Sequence, residues 1–117
     1  MARVPIHIPV HIRVHDRGGH TPEITVEPTS VHARTRDTLD WDLQGGGRFA
    51  LEVLDGQTPF GSAFRLLSDS DGCCSEMIGG YAEPGTYHYG LDGQAAIPPP
   101  GAPTPFAVKG CLEIVIQ

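Results

Sequence analysis

The chain has 117 residues, with fifteen glycines, eleven prolines and a formal net charge of −6. That length fits a single domain spanning 1–117, with roughly two-thirds of the unfolded chain's surface available for burial. The seven arginines are scattered and Lys109 is the only lysine, which excludes the basic patch of a nucleic-acid binder. No apolar stretch approaches the roughly 20 residues of a membrane span, so no membrane partner is expected.

The segment Met1–Pro5 runs into strict alternation rather than an apolar block. It does not read as a secretory signal, and a cytoplasmic location is expected. In Ile6–His15 the aliphatics Ile6, Ile8, Val10, Ile12 and Val14 share one parity, and His7, Pro9, His11, Arg13 and His15 share the other. A period of two puts these sets on opposite faces of a long first strand. Pro9 lacks an N–H, which assigns its part of the strand to a sheet edge or a bulge. The run from Asp16 to Pro22 reads as a turn.

Ile24 and Val26 mark a second strand, Pro28-Thr29-Ser30 breaks it, and Val31–Arg34 resumes extended structure. Leu39, Trp41 and Leu43 alternate inward, Gly45-Gly46-Gly47 turns, and Phe49, Leu51 and Val53 form the next inward set. From Gln57 to Gly80 the pattern is irregular, with one short strand expected at Phe64–Leu67 and a polar loop at Ser68–Gly72. Pro84-Gly85 then turns into Thr86–Leu91, where Tyr87 and Tyr89 share a face opposite His88. Ala95–Pro105 holds five prolines and reads as an exposed loop of polyproline character. Cys111–Gln117 closes the chain as a strand with Leu112, Ile114 and Ile116 on one face. Six to eight short strands separated by turns predict an all-β sandwich or barrel.

The stretch Glu83-Pro84-Gly85-Thr86-Tyr87-His88-Tyr89-Gly90-Leu91 resembles the penultimate strand of cupredoxins, the β-sandwiches that carry type 1 copper. Ile24–Pro28, Ser30–Ala33, Arg36–Trp41 and Leu112–Ile116 follow the order of that family's other strands over about residues 10–117. The resemblance implies a Greek-key sandwich. Type 1 copper needs two imidazoles, a thiolate and a weak axial ligand. By the same resemblance the first histidine's place holds Arg48-Phe49-Ala50-Leu51, and the cysteine's place holds Leu91. The second histidine and the methionine give way to Asp92–Ile97. All four ligand places are vacant, so no cofactor and no electron transfer through that pocket are expected.

Chemistry elsewhere in the chain has two candidates. His7, His11 and His15 share a face, but neighbours four residues apart along a strand are about 13 Å apart, too far for one ion. They read as a solvated face unless another strand or subunit completes a site. Cys73 and Cys74, with Met77 close by, offer soft sulfur ligands suited to copper(I) or zinc. They lack the spacing of a structural zinc pair and read as inert thiols. Three cysteines cannot all pair, and in a cytosolic chain they are expected to be free thiols. Asp69-Ser70-Asp71-Gly72 lacks the first and last acids of a calcium loop, and Gly45-Gly46-Gly47 lacks the lysine of a phosphate cradle. No nucleophile–base pair stands out, and no enzyme is expected. The ligands missing by that resemblance, the proline-rich loop and the long first strand favour a metal-free, non-catalytic module for protein binding or assembly, pairing through its N-terminal strand as a sheet edge. The alternative is a metal-handling protein using Cys73, Cys74, Met77 or the first-strand histidines.

Overall fold

Alternating β-branched and aromatic residues, bounded by Gly and Pro turns, build strands here because each apolar set gains a face to bury. A computed structural model describes residues 4–15, 21–96 and 104–117. Among them run nine strands and no helix: β1 (His7–His15), β2 (Glu23–Glu27), β3 (Ser30–Ala33), β4 (Thr38–Leu43), β5 (Gly47–Val53), β6 (Arg65–Leu67), β7 (Cys73–Met77), β8 (Gly85–Ala95) and β9 (Thr104–Ile116). They form two mixed sheets, ordered β2-β1-β4-β7 and β3-β9-β8-β5-β6, which pack as a β-sandwich. One parallel pair lies in each sheet, β1 with β4 and β3 with β9. No helix among the described residues is long and apolar enough to cross a membrane. The expected turn at 16–22 falls largely outside the described residues, as does the centre of the proline loop at 97–103.

The core forms where the inward sets of both sheets meet. Val10, Ile12, Leu39, Trp41 and Leu43 come from the first sheet, and Leu51, Tyr89, Leu112 and Ile114 from the second. Trp41 lies at its centre, 1 % exposed. Its ring stands edge-on to Phe60 and Tyr89 at 6.0 and 5.9 Å, the arrangement that aromatic quadrupoles favour. Its indole N–H donates to the Tyr89 hydroxyl at 3.3 Å, so both polar tips are satisfied in the interior. Burial pushes the Tyr89 phenol up to about 12.

Asp37 is the one buried charged side chain among the described residues. It accepts the backbone N–H of Ile6 and that of Arg34, each at 3.0 Å, and its own carbonyl accepts the N–H of Ile78 at 2.7 Å. One residue thus ties the entry to β1, the β3–β4 turn and the end of β7. The sequence marks Asp37 only as a strand start, because two of these three partners lie 31 and 41 positions away.

Four sequence expectations change. The first strand is not a sheet edge: β1 lies between β2 and β4. It is open only along its first half, because β2 pairs with His11–His15 alone. Ile6 accepts from Thr38 of β4, so alternate residues, Pro9 among them, turn their backbone toward the open half. The aliphatic face is buried only from Val10 onward, while Ile6 remains exposed. Cys73–Met77, left irregular by its mixed composition, is a ninth strand, held by pairing with β4. Finally, β8 and β9 run well past the expected limits, as a hairpin paired out to Ala95 and Thr104. Its register shifts between Tyr89 and Leu91, where Lys109, Gly110 and Cys111 bulge opposite Gly90.

Candidate functional site

Three places are candidates for function: the mouth at Phe49 and Leu91, and the outer face of each sheet. The mouth is built by β5 and β8, whose register sets Leu51 opposite Leu91 and Phe49 opposite Gly93. The topology therefore brings Arg48–Leu51 against Leu91–Gln94. Phe49 and Leu91 are 4 % and 2 % exposed, and both belong to the core. Gly93 seals the pairing. A Cβ there would stand 2.7 Å from Phe49 Cα and collide with the Arg48 carbonyl, so only glycine lets the two backbones approach this closely. Asp92, Gly93 and Gln94, expected as a ligand-loop remnant, are strand residues. A shallow groove of about 320 Å³ passes over the outside, lined by Arg48, Leu67, Ser68, Asp92 and Gln94 among others.

The outer face of the first sheet collects most of the candidate ligands. Strands β1, β4 and β7 lie side by side, so His7, His11 and His15, then Asp40 and Asp42, then Cys73, Ser75 and Met77 form three adjacent columns. Asp40 takes two hydrogen bonds, from His7 Nδ1 at 2.9 Å and from Ser75 Oγ at 2.6 Å. Asp42 lies 3.7 Å from His11 Nδ1 and accepts a weak bond from the Cys73 thiol at 3.9 Å. Gln44 donates to Asp42 as well. Cys74 leaves this set: it points inward opposite Trp41 and is buried. His15 lies beyond the β4 pairing, opposite Glu23 of β2.

The histidine and sulfur columns thus share a face, with a column of carboxylates between them. Among the described residues, no group of three or more His, Cys, Asp or Glu side chains is placed to hold one metal ion. The thiols are also poorly poised. Desolvation, then the carboxylates of Asp69, Asp42 and Asp71, push Cys73 above its ordinary value. Burial, then Glu76 and Asp69, push Cys74 up to about 11. A reactive or metal-seeking cysteine needs the opposite field. Cys73, Cys74 and Cys111 are all unpaired thiols.

The outer face of the second sheet holds a cluster that sequence reading missed. Asp55 Oδ2 accepts both the backbone N–H of His88, at 2.9 Å, and its Nδ1, at 2.7 Å. His88 Nε2 lies 3.7 Å from Glu113, which in turn accepts from Ser30 Oγ at 2.9 Å. The line crosses β3, β9 and β8 to Asp55, two residues past the end of β5, positions that only the sheet order makes neighbours. The His88 backbone N–H, more than its side chain, holds the Asp55 carboxyl below its ordinary value. A carboxylate separates serine from imidazole both here and in the Ser75–Asp40–His7 set. Nucleophilic catalysis needs the imidazole on the hydroxyl, so neither set is a nucleophile–base pair.

Comparison with known proteins adds no relative: no family model matches the chain, and no curated protein matches it significantly.

Proposed function

We propose that this chain is a Greek-key, cupredoxin-like sandwich without type 1 copper, acting as a metal-free, non-catalytic module in protein binding or assembly. The observation that carries the reading is the register of β5 on β8. It sets Phe49 opposite Gly93 and Leu51 opposite Leu91, so the positions that the resemblance assigns to the histidine and the cysteine are neighbours holding no imidazole or thiolate. A thioether, an imidazole or a thiolate would bind copper, whereas benzyl and isobutyl groups have no donor atom. The tyrosine strand between β5 and the last strand, and the chain's crossing from one sheet to the other at Glu27–Ser30, support the family resemblance.

A second reading, metal handling, draws on one observation: His7, His11, Cys73 and Met77 lie on one face. The intervening β4 column and the raised thiol pKa values weigh against it. One pair of measurements separates the two. Titration of the reduced protein with copper(I) and with zinc is expected to show no stoichiometric uptake, and mass in solution together with affinity capture is expected to show a specific protein complex or a defined oligomer. Tight uptake of one metal equivalent would replace the first reading by the second. A strict monomer that captures no partner would remove it.

A further inference from the structure

We propose that the open edge of β7 docks an extended, basic segment of a partner protein by strand addition. The proposal deepens the protein-binding reading and rests on it. β7 ends the first sheet, with β4 on one side only. Leu43 N–H donates to the Gly72 carbonyl at 2.8 Å and Ile78 N–H to the Asp37 carbonyl at 2.7 Å, which fixes the phase of the ladder. Alternation then turns the backbone of Cys74 and Glu76 toward β4 and that of Cys73, Ser75 and Met77 away from it. Cys73 is already capped, its carbonyl by Asp69 N–H and its N–H by the Asp69 carboxylate, each at 2.9 Å. Ser75 and Met77 remain, each presenting an N–H and a C=O to the open side. An added strand uses such groups. Natural edges are commonly blunted by lysine, proline or a bulge. The β7 sequence Cys-Cys-Ser-Glu-Met has no lysine or proline, its pairing with β4 is continuous, and Met77 is 55 % exposed.

Charge selects the occupant. Residues 68–78 contain Asp69, Asp71 and Glu76 and no lysine or arginine, and β4 adds Asp40 and Asp42 beside them. A basic strand complements this field. A second copy of the chain does not. Two-fold antiparallel pairing with Ser75 against its own counterpart sets Met77 against the capped Cys73. Sliding by two residues sets Glu76 directly against Glu76, and like charges in directly opposed positions destabilise a sheet.

The test uses the intact chain and a short, end-blocked peptide of alternating Lys and Val, followed amide by amide by NMR. Saturable, salt-sensitive binding is expected, with the Ser75 and Met77 amides shifting and gaining protection from exchange. Ser75→Pro removes an outward N–H without touching the β4 ladder, and is expected to weaken binding about tenfold. Glu76→Gln is expected to weaken it less and to reduce its salt dependence. The same peptide N-methylated at alternate residues makes the test on the unaltered protein, and is expected not to bind. Absence of saturable binding, equal binding of the N-methylated peptide, or protection confined to β2, β3 or β6 would overturn the proposal. Those outcomes leave the module reading standing if the protein still forms a specific complex that Ser75→Pro does not disturb. Metal uptake without any protein partner would instead remove the module reading itself.

Discussion

The mouth at Phe49 and Leu91 and the β7 flank make opposite use of the same kind of structure. At the mouth, two strands pair so closely that Gly93 has no room for a methyl group, and the side chains that face inward are hydrocarbon. Phe49 is held by Ser68, its N–H donating to the Ser68 hydroxyl and its carbonyl accepting the Ser68 N–H, each at 2.9 Å, and the buried side chains of Phe49 and Leu91 offer no donor atom to a ligand. On the flank, side chains are ordinary, but the backbone of Ser75 and Met77 keeps unspent hydrogen-bonding capacity. The difference teaches where to look for function in this sandwich. Chemistry carried by side chains can be lost with a few substitutions, whereas the capacity of an edge strand persists as long as the sheet does.

Perturbing the closed region should cost far more than perturbing the open one. Trp41→Ala removes the central ring and strands the Tyr89 hydroxyl, and should destabilise the protein by about 3–5 kcal/mol in urea unfolding. Gly93→Ala forces apart β5 and β8 at Phe49 and Arg48, at a cost of about 2–3 kcal/mol by the same measurement. A loss under half a kcal/mol, by the ~1–3 kcal/mol scale of overpacking, would mean that the mouth is looser than its packing indicates. Leu91→Cys restores a thiol where the resemblance puts one. It should lose about 2 kcal/mol of stability and, with no imidazole beside it, develop no intense copper–thiolate absorption on addition of copper(II). On the flank, Ser75→Pro should change stability by only about 1 kcal/mol, chiefly through the lost Ser75–Asp40 hydrogen bond.

The smallest effect concerns the second sheet. Asp55 is held below its ordinary 3.8 by His88, so it contributes stability that is present above that value and is lost as pH falls through the lower folded value. Asp55→Asn should therefore be less stable than the parent at neutral pH. Its deficit should shrink as pH falls below 3.8 and vanish once pH passes below the lowered folded value, in acid unfolding followed by circular dichroism. A deficit that is constant with pH would make the contact a neutral hydrogen bond.

Much of this was legible from one sequence. The inward sets at Val10–Val14, Leu39–Leu43, Phe49–Val53, Tyr87–Leu91 and Leu112–Ile116 are all core, because alternation records burial on one sheet face. Illegible strands have a common cause. Cys73–Met77 has too short and too mixed a pattern to announce itself, and it is a strand because β4 offers it a ladder. The hairpin limits at Ala95 and Thr104 depend likewise on cross-strand partners.

Composition and periodicity by themselves determined an all-β chain and its buried faces. Those properties reside in residue identity and in a period of two. Only the tertiary structure decided which strand is an edge, that Cys74 faces Trp41 while Cys73 faces solvent, that Asp55, His88, Glu113 and Ser30 form one line, and that Ser75 and Met77 keep their backbone groups open. Each of these depends on which strands lie side by side and in which register. Contacts such as Asp55–His88 and Ser30–Glu113, between positions 33 and 83 residues apart, leave no mark in the local pattern of the chain.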